Sequence, residues 1–479
     1  MQMALTNYRM YLRWIAFTLV ICAPVDPTTL AQSSDGTRKV FTLEEAVDFS
    51  LKNYPAVRAS LERVTAAQSG IGLARTNYLP RADMLWQTNR ATDNNITGLI
   101  LPQSVIAPIS GPVSMSPSNR SAWGSAAGLL FSWEPLDFGY RGAKVDAARA
   151  ARNRAAAEAS LTRLDVAVAT VNAYMTVLAA EQRVQAARAD VERRETFHKV
   201  VRVLVDNQLR AGADASRADA ELARARVNLA RSQQQEQISR AVLADILGMP
   251  DTSIEIQDTA LLGPPPNASP EPTPVSGHPF ADVQHARVQE SKAQVRVLER
   301  AYYPKFYLQS DVYGRGSGWD PVGKFLGGTA GLGPDRSNWA AGLSMTFPVF
   351  DIFTIRTRKA IEAANERAEA ARYDQALQDL TGQLRQARAS LEGARHVAEN
   401  TPVELEAART TEAQERARYQ AGLATLVDVA DAQSLLVQAE ADDALARLAV
   451  WQNLAAVAAS QGDLQPFLQF LHDKTQGGP

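Results

Sequence analysis

The feature that most restricts the fold of this 479-residue chain is a duplication with a period of 224 residues. Pro55 and Pro80 lie 25 residues apart, and Pro279 and Pro304 have the same separation. In each half, the second proline follows a tyrosine-containing phrase at the end of a helical stretch. Two strand-like segments around a long loop come next, and then a long alanine-rich helix. This ordered series predicts two copies of one structural unit.

The boundaries of the two units follow from short sequence motifs that recur in both halves. The long helices are predicted to begin near 135–139 and 348–351 and to be interrupted at 210–212 and 420–422. A stretch too rich in proline for regular structure separates the halves. The predicted organisation is a first repeat at 41–263, a linker at 264–279, a second repeat at 280–462 and a C-terminal tail at 463–479.

The strand-like segments alternate between apolar and small or polar residues. One face of the last strand carries Trp339, Ala341, Leu343, Met345 and Phe347, and the other carries Ala340, Gly342, Ser344 and Thr346. This pattern is typical of a lipid-facing barrel wall, although the strands of a soluble sandwich alternate identically. Four strands cannot close a barrel, and an open edge cannot lie in lipid. If these strands are in the membrane, several chains must therefore share one barrel.

The helices are unusually long. No proline occurs between Pro135 and Pro250, and apolar residues from Leu161 to Leu178 follow the 3-4 spacing of a coiled coil. The stretch 137–210 would measure about 110 Å as a helix, which is too long for a globular domain of this size. Pro402 is predicted to kink or break the second long helix, because an interior proline costs about 3 kcal/mol.

The N-terminus has the layout of a secretory signal peptide at 1–31, with Arg9 and Arg13 before an apolar stretch that ends at Cys22. The alternative, a membrane anchor, is disfavoured because the stretch is far shorter than the roughly 20 residues that span a bilayer. Cys22 is the only cysteine. Its lipidation is disfavoured because Ile21 precedes it. Cleavage after Ala31 would leave no thiol or disulfide in the mature chain.

Charge and composition exclude several functions. The net charge of -2 and the interleaving of acidic and basic residues predict no nucleic-acid partner. The five histidines are dispersed and match no metal spacing, so no metal or other cofactor is predicted. The glycine-rich segment 327–333 lacks the lysine of a phosphate-binding loop and lies between two strands. It therefore predicts a surface loop, and no catalytic site is predicted.

Two motifs resemble those of the TolC-like outer-membrane efflux proteins. The first is Phe41-Thr42-Leu43-Glu44-Glu45-Ala46 followed by Asn53-Tyr54-Pro55, and the second is the segment 419–433, which reads YQAGLATLVDVADAQ. The resemblance extends from 41 to 462 and includes the duplication. It implies a mixed fold: a trimeric 12-stranded transmembrane β-barrel, with four strands per protomer, continuous with a long periplasmic α-helical barrel. An irregular equatorial belt would include the linker and the tail.

The resemblance also implies the function. The protein is expected to be a passive exit duct in the outer membrane of a Gram-negative bacterium, serving a tripartite efflux or type I secretion system. Its expected partners are two further copies in a homotrimer, a periplasmic adaptor protein, an inner-membrane transporter and outer-membrane lipid. The alternative is a periplasmic coiled-coil adaptor or scaffold, which would also be secreted and helical but would need compact β domains.

The resemblance places the hairpin tips that close the duct and meet the adaptor at two short segments. These are Ala211, Gly212 and Ala213 in the first half, and Ala421, Gly422 and Leu423 in the second. Glycine at a helix reversal also has a purely structural explanation, since it tolerates the left-handed conformation. We expect both explanations to hold.

Asp428 and Asp431 are the sharpest candidates for the pore entrance. They lie three residues apart on one helical face, where the family carries paired aspartates that project into the entrance. In a trimer they would form two rings of carboxylates that attract cations. The structural alternative is that they complement the dipole of a helix N-terminus. The first half has Arg217 in this region, and we hypothesise that it pairs with a neighbouring helix to latch the closed state.

Overall fold

The computed structural model describes residues 39–92, 118–257, 260–266, 274–320, 322, 324–347 and 349–476. The predicted signal peptide with Cys22, and much of the predicted linker, lie outside these residues. The helices are α1 Leu43–Asn53, α2 Pro55–Thr76, α3 Tyr140–Asp206, α4 Gly212–Ile246, α5 Pro279–Arg300, α6 Asp351–Gln420, α7 Leu426–Ser460 and α8 Gln465–Gln476. The strands are β1 Lys39–Phe41, β2 Arg81–Thr92, β3 Ser121–Leu136, β4 Ile254–Ile256, β5 Lys305–Ser317 and β6 Arg336–Thr346.

The long strands form one antiparallel sheet with the order β2-β3-β5-β6. Its register aligns Met84 with Leu129, Leu129 with Val312, and Val312 with Trp339. Because side chains alternate along each strand, these apolar residues share one face of the sheet. The opposite face carries small and polar residues of neighbouring strands, such as the pair Gln309 and Gly342. The alternation expected from the sequence is therefore carried across all four strands.

The apolar face of this sheet is exposed. The exposed fraction is 85% for Met84, 73% for Trp86 and 78% for Trp339. A soluble sandwich would cover such a face with a second sheet. Among the described residues, the other sheet is the short parallel pair of β1 and β4, which packs elsewhere against the helices. β2 and β6 are the sheet's edges, so their outer backbone groups have no partner strand among the residues that the structure describes.

The helices form a long layer beneath the sheet. α3 has 67 residues and α6 has 70, which correspond to about 100 and 105 Å. Near the sheet the order of contacts is α2-α3-α5-α6, and toward the far end it is α4-α3-α7-α6. An 18-residue stretch of α3 has a mean hydropathy of 1.2, but 56% of it is buried inside the molecule, as expected for a core helix.

Pro402 neither ends nor divides α6, so the expected break is wrong, and the alternative expectation of a kink stays a prediction. Contacts with α7 hold the helix on both sides of the proline. The Thr401 hydroxyl donates a hydrogen bond to Oδ1 of Asp443 at 3.2 Å, and Leu405 packs against Leu436. These tertiary contacts offset the hydrogen bond that proline removes from the helix.

The main hydrophobic core lies at the middle of the helical layer. Tyr174, Trp451 and Phe467 are fully buried there, and β1 and β4 pack against the same cluster. α8 contributes Phe467, so the segment predicted as a C-terminal tail begins as a packed helix. This core holds the two halves of the chain together far from both the sheet and the hairpin tips.

Candidate gate at the hairpin tips

The first hairpin reverses between α3 and α4, and its geometry differs from the prediction. Gln208 takes the left-handed conformation, with φ of 60°, and its N–H donates to the carbonyl of Val205 at 2.9 Å. Ala211 is the N-cap of α4, and Gly212 is its first residue. The expectation that Gly212 supplies the left-handed turn is therefore wrong. The reversal takes place earlier, in the five residues between the two helices.

The second hairpin uses its glycine as expected. Gly422 has φ of 80°, and it lies between Ala421, which caps α6, and Leu423, which is 71% exposed. The N–H of Leu423 donates to the carbonyl of Arg418 at 2.8 Å, which closes the end of α6. The tip residues Ala211, Gly212, Ala213, Ala421, Gly422 and Leu423 are exposed. Their contact with an adaptor stays a prediction.

These two turns give opposite expectations for glycine substitution. Gly422→Ala should destabilise the second turn by about 1 kcal/mol, because a left-handed backbone disfavours a Cβ. Gln208→Gly should stabilise the first turn by a similar amount for the same reason. Hydrogen exchange of the turn amides measures both effects. Gly212→Ala is the control, since an added Cβ there would meet nothing within 4 Å. A similar loss of protection in Gly212→Ala and Gly422→Ala would contradict this explanation.

Tyr419 joins the two hairpins. Its side chain is fully buried, and its hydroxyl donates a hydrogen bond to Oδ2 of Asp214 at 3.2 Å. Arg210 donates to the Tyr419 carbonyl at 2.6 Å, and its guanidinium lies 4.4 Å from the centre of the tyrosine ring. Phe197 packs edge-on against the same ring at 5.2 Å. Burial, and then the charge of Asp214, raise the pKa of Tyr419 to about 12, so the hydroxyl remains a donor.

A buried ionic network crosses between the hairpins above this tyrosine. Arg194 of α3 bonds Asp190 at 2.9 Å, Glu221 of α4 at 3.0 Å and the hydroxyl of Ser434 in α7 at 3.1 Å. Arg194 and Asp190 are both buried. Burial raises the pKa of Asp190 even though Arg194 lies beside it. The network therefore joins α3, α4 and α7. It also costs free energy, because the carboxylate of Asp190 is removed from water.

A second ion pair beside this network also joins the hairpins. Arg193 of α3 forms a bidentate pair with Glu440 of α7, with distances of 3.1 and 2.8 Å. Bidentate geometry fixes the orientation of both side chains. Together with Tyr419, these contacts make the tip half of the two hairpins one packed unit in this structure.

Asp428 and Asp431 lie in the first turns of α7, and both are exposed. Oδ2 of Asp428 accepts hydrogen bonds from the backbone N–H and the hydroxyl of Thr425 at 2.8 and 2.7 Å. These bonds from Thr425 lower the pKa of Asp428, so its carboxylate stays charged in mildly acidic solution. The structure thus gives Asp428 the helix-capping role that the sequence left as an alternative. Its projection into a pore stays a prediction, as does that of Asp431.

The first hairpin lacks an acidic pair at the corresponding place. Arg217 is exposed, and no salt bridge joins it to any residue that the structure describes. The nearby Asp219 instead pairs with His198 at 2.7 Å and with Arg202 at 2.6 Å. A latch between Arg217 and a neighbouring helix stays a prediction.

Comparison with known proteins decides the family. The chain matches the outer membrane efflux protein family over residues 46–249 and 281–463, which span most of both halves. The chain belongs to this family. An exit duct located in the outer membrane, as the sequence predicts, is therefore confirmed, and the family and fold are those of channel proteins.

Individual relatives match along most of their length. The chain is 26% identical to protein CyaE of Bordetella pertussis over 443 residues, which cover 88% of this chain and 84% of CyaE. It is 24% identical over 421 residues to the pyoverdine export outer membrane protein OpmQ of Pseudomonas putida, covering 87% and 84%. The solved outer-membrane channel OprN shares the fold, with a TM-score of 0.72 at 20% identity over 88% of this chain and 89% of OprN.

Proposed function

We propose that three copies of this chain form one passive duct, in which four strands from each copy close a single 12-stranded barrel. The observation that carries this proposal is the four-stranded sheet with an exposed apolar face and two edges that pair with no described strand. Such edges cannot remain unpaired in lipid, and pairing β2 of one copy with β6 of the next satisfies them. The same rotation brings the edge helices α4 and α6 of neighbouring copies together as a tube. The common order of elements in the two halves supports an internal duplication.

We further propose that the energy for export comes from partner proteins. Among the described residues, no group of side chains has the arrangement of a metal site. The tips of the two hairpins end the tube farthest from the sheet, so they are where a periplasmic adaptor and an inner-membrane transporter would deliver cargo. The similarity to the pyoverdine export outer membrane protein OpmQ supports an export role. The adaptor or scaffold alternative is disfavoured by the match to the outer membrane efflux protein family and by the fold shared with the OprN channel along most of its length.

The entrance of the duct is proposed to select cations. Threefold symmetry would bring together three copies each of Asp428 and Asp431, and rings of carboxylates attract cations and repel anions. The hydrogen bonds from Thr425 lower the pKa of Asp428 within each chain, which favours the charged form on which the ring depends. Asp431 adds a second ring one helical turn farther along α7.

The reversal potential across a planar bilayer with a salt gradient tests this entrance. The wild type should prefer cations, and Asp428→Asn/Asp431→Asn should lose most of that preference without losing conductance. Asp374→Asn/Asp379→Asn is the matched control, because it removes two exposed carboxylates from α6 far from the tip. A double Asp428/Asp431 variant as cation-selective as the control would restrict Asp428 to its capping role and reject the acidic entrance.

A further inference from the structure

The end of α5 next to the sheet carries an unusual basic face. Lys292, Arg296 and Arg300 follow each other at intervals of four residues, so they form one stripe about 12 Å long. All three are exposed, and none forms a salt bridge with a described residue. The adjacent carboxylate, Glu299, is engaged by Lys359 of α6 at 3.0 Å. Arg300 lies in the last turn of α5, where a cation complements the helix dipole, as Arg75 does in α2. That benefit ends with the last turn, and like charges four residues apart destabilise a helix slightly, so the helix dipole does not explain Lys292.

The stripe belongs to one repeat only. α2 and α5 both have 22 residues and begin with proline, so their positions correspond directly. The residues of α2 that correspond to the stripe are Gln68, Gly72 and Thr76, and none of them is charged. A general requirement of the helix or of its junction with a strand would affect both repeats. The basic face therefore has a cause specific to the surroundings of α5.

The end of the stripe nearest the sheet, at Arg300, contacts an exposed aromatic cluster. The guanidinium of Arg300 lies 5.9 Å from the ring centre of Tyr303, and Tyr303 stacks on Phe138 at 5.6 Å. Phe138 and Tyr303 are 45% and 43% exposed. Phe138 also adopts φ of 50°, a conformation that costs a non-glycine residue free energy. This turn holds the half-exposed rings where a ligand outside the chain can contact them.

The cluster is continuous with the apolar face of the sheet. Phe138 lies 6.3 Å from Phe306, which is aligned with Met345 on the apolar face. α5 is packed between α3 and α6, so its exposed side does not face a neighbouring helix of the same layer. From the sheet toward α5, the surface thus carries apolar strand residues first, then aromatic rings and then cations. Membrane proteins present the same order of residues to the hydrocarbon core, the membrane interface and the lipid headgroups.

We propose that this face of α5 binds an anionic phospholipid of the periplasmic leaflet. Arg300 would contact the phosphate, Phe138 and Tyr303 would cover the upper part of the acyl chains, and Arg296 and Lys292 would attract the negative leaflet surface from below. The proposal rests on the barrel lying in the outer membrane but does not depend on what the duct carries. Its function would be to fix the depth of the duct in the membrane at one side of each protomer.

Native mass spectrometry of the purified full-length protein in nonionic detergent tests the site. Phosphatidylglycerol should bind more tightly than phosphatidylcholine with the same acyl chains. In Lys292→Gln/Arg296→Gln/Arg300→Gln, phosphatidylglycerol affinity should fall by at least about tenfold, since each basic residue near a headgroup contributes a severalfold factor. Affinity for phosphatidylcholine should change little.

Two controls keep the outcome specific. Lys199→Gln/Arg224→Gln/Arg231→Gln removes the same charge from exposed residues of the first hairpin, away from the four-stranded sheet, and should bind phosphatidylglycerol like the wild type. Excess inorganic phosphate should not displace the lipid, because it lacks chains for Phe138 and Tyr303. Equal binding by the stripe variant and the wild type, or displacement of the lipid by phosphate, would overturn the proposal. Single-channel conductance of the stripe variant, which should be unchanged, separates this site from the duct itself.

Discussion

Tyr419→Ala is expected to open the periplasmic end of the duct and to raise its single-channel conductance several-fold. The substitution empties a fully buried site at the point where the two hairpins meet, and truncating a large buried aromatic residue typically costs about 3–5 kcal/mol. It also removes the ring next to the Arg210 guanidinium and the hydroxyl that donates to Asp214, while the hydrogen bond from Arg210 to the backbone carbonyl of residue 419 remains. Recordings in planar bilayers measure the change, with the amount of assembled protein checked on the same samples.

Two variants separate the packing of Tyr419 from other effects. Tyr419→Phe keeps the ring and loses one hydrogen bond, a change of about 1 kcal/mol, so its conductance should remain close to that of the wild type. Tyr373→Ala truncates a tyrosine on the same helix that contacts His285 far from the tip, and it should leave the entrance unchanged. Wild-type conductance in an assembled Tyr419→Ala duct would show that this residue does not hold the entrance closed.

Arg194→Met is expected to produce the largest loss of local stability in the helical region. It leaves the carboxylate of Asp190 buried without its cation, and breaking a buried pair in this way costs about 3–5 kcal/mol. Side chains that are only 7% exposed receive little solvent screening, so this value needs little reduction. Amide exchange in the tip halves of α3, α4 and α7 should therefore accelerate by a factor of roughly 100 or more.

The pH dependence of the Arg194→Met defect distinguishes electrostatics from lost packing. Burial already raises the pKa of Asp190, and removing Arg194 should raise it further. An acid with a raised folded-state pKa destabilises the fold at high pH, and that cost disappears as the pH falls through its folded pKa. The ratio of variant to wild-type exchange should thus shrink on acidification. Asp190→Leu/Arg194→Met should recover much of the loss. A defect that is independent of pH, and is not rescued by the double variant, would contradict the network account.

The order of elements and the alternation of the strands could be read from the sequence because they depend on local patterns. The two long helices begin and end within a few residues of the predicted phrases, since proline, glycine and apolar spacing act on neighbouring residues. Asp428 was correctly placed in the first turn of a helix. In a single chain, the hydrogen bonds with Thr425 show the capping role of Asp428. A pore entrance with threefold symmetry is formed by three chains, so a single chain cannot show it.

The remaining features depend on contacts between distant residues. Gln208 takes the left-handed turn in place of Gly212 because the hairpin reverses before the glycine is reached. Pro402 stays within a helix because α7 supports both sides of it. The hydrogen bond from Tyr419 to Asp214 joins residues separated by 205 positions, and no local sequence pattern predicts it. Tyr419 was part of the motif that identified the family, but its role became visible only in the fold.

The most direct test of the central claim is to record from the purified wild-type protein in a planar bilayer, with flotation of the same preparation in liposomes. If three copies form one continuous duct, protein that floats with the liposomes should produce discrete conductance steps with a preference for cations. Protein that floats with the liposomes but never conducts would contradict the shared barrel. It would favour a scaffold role for the long helices.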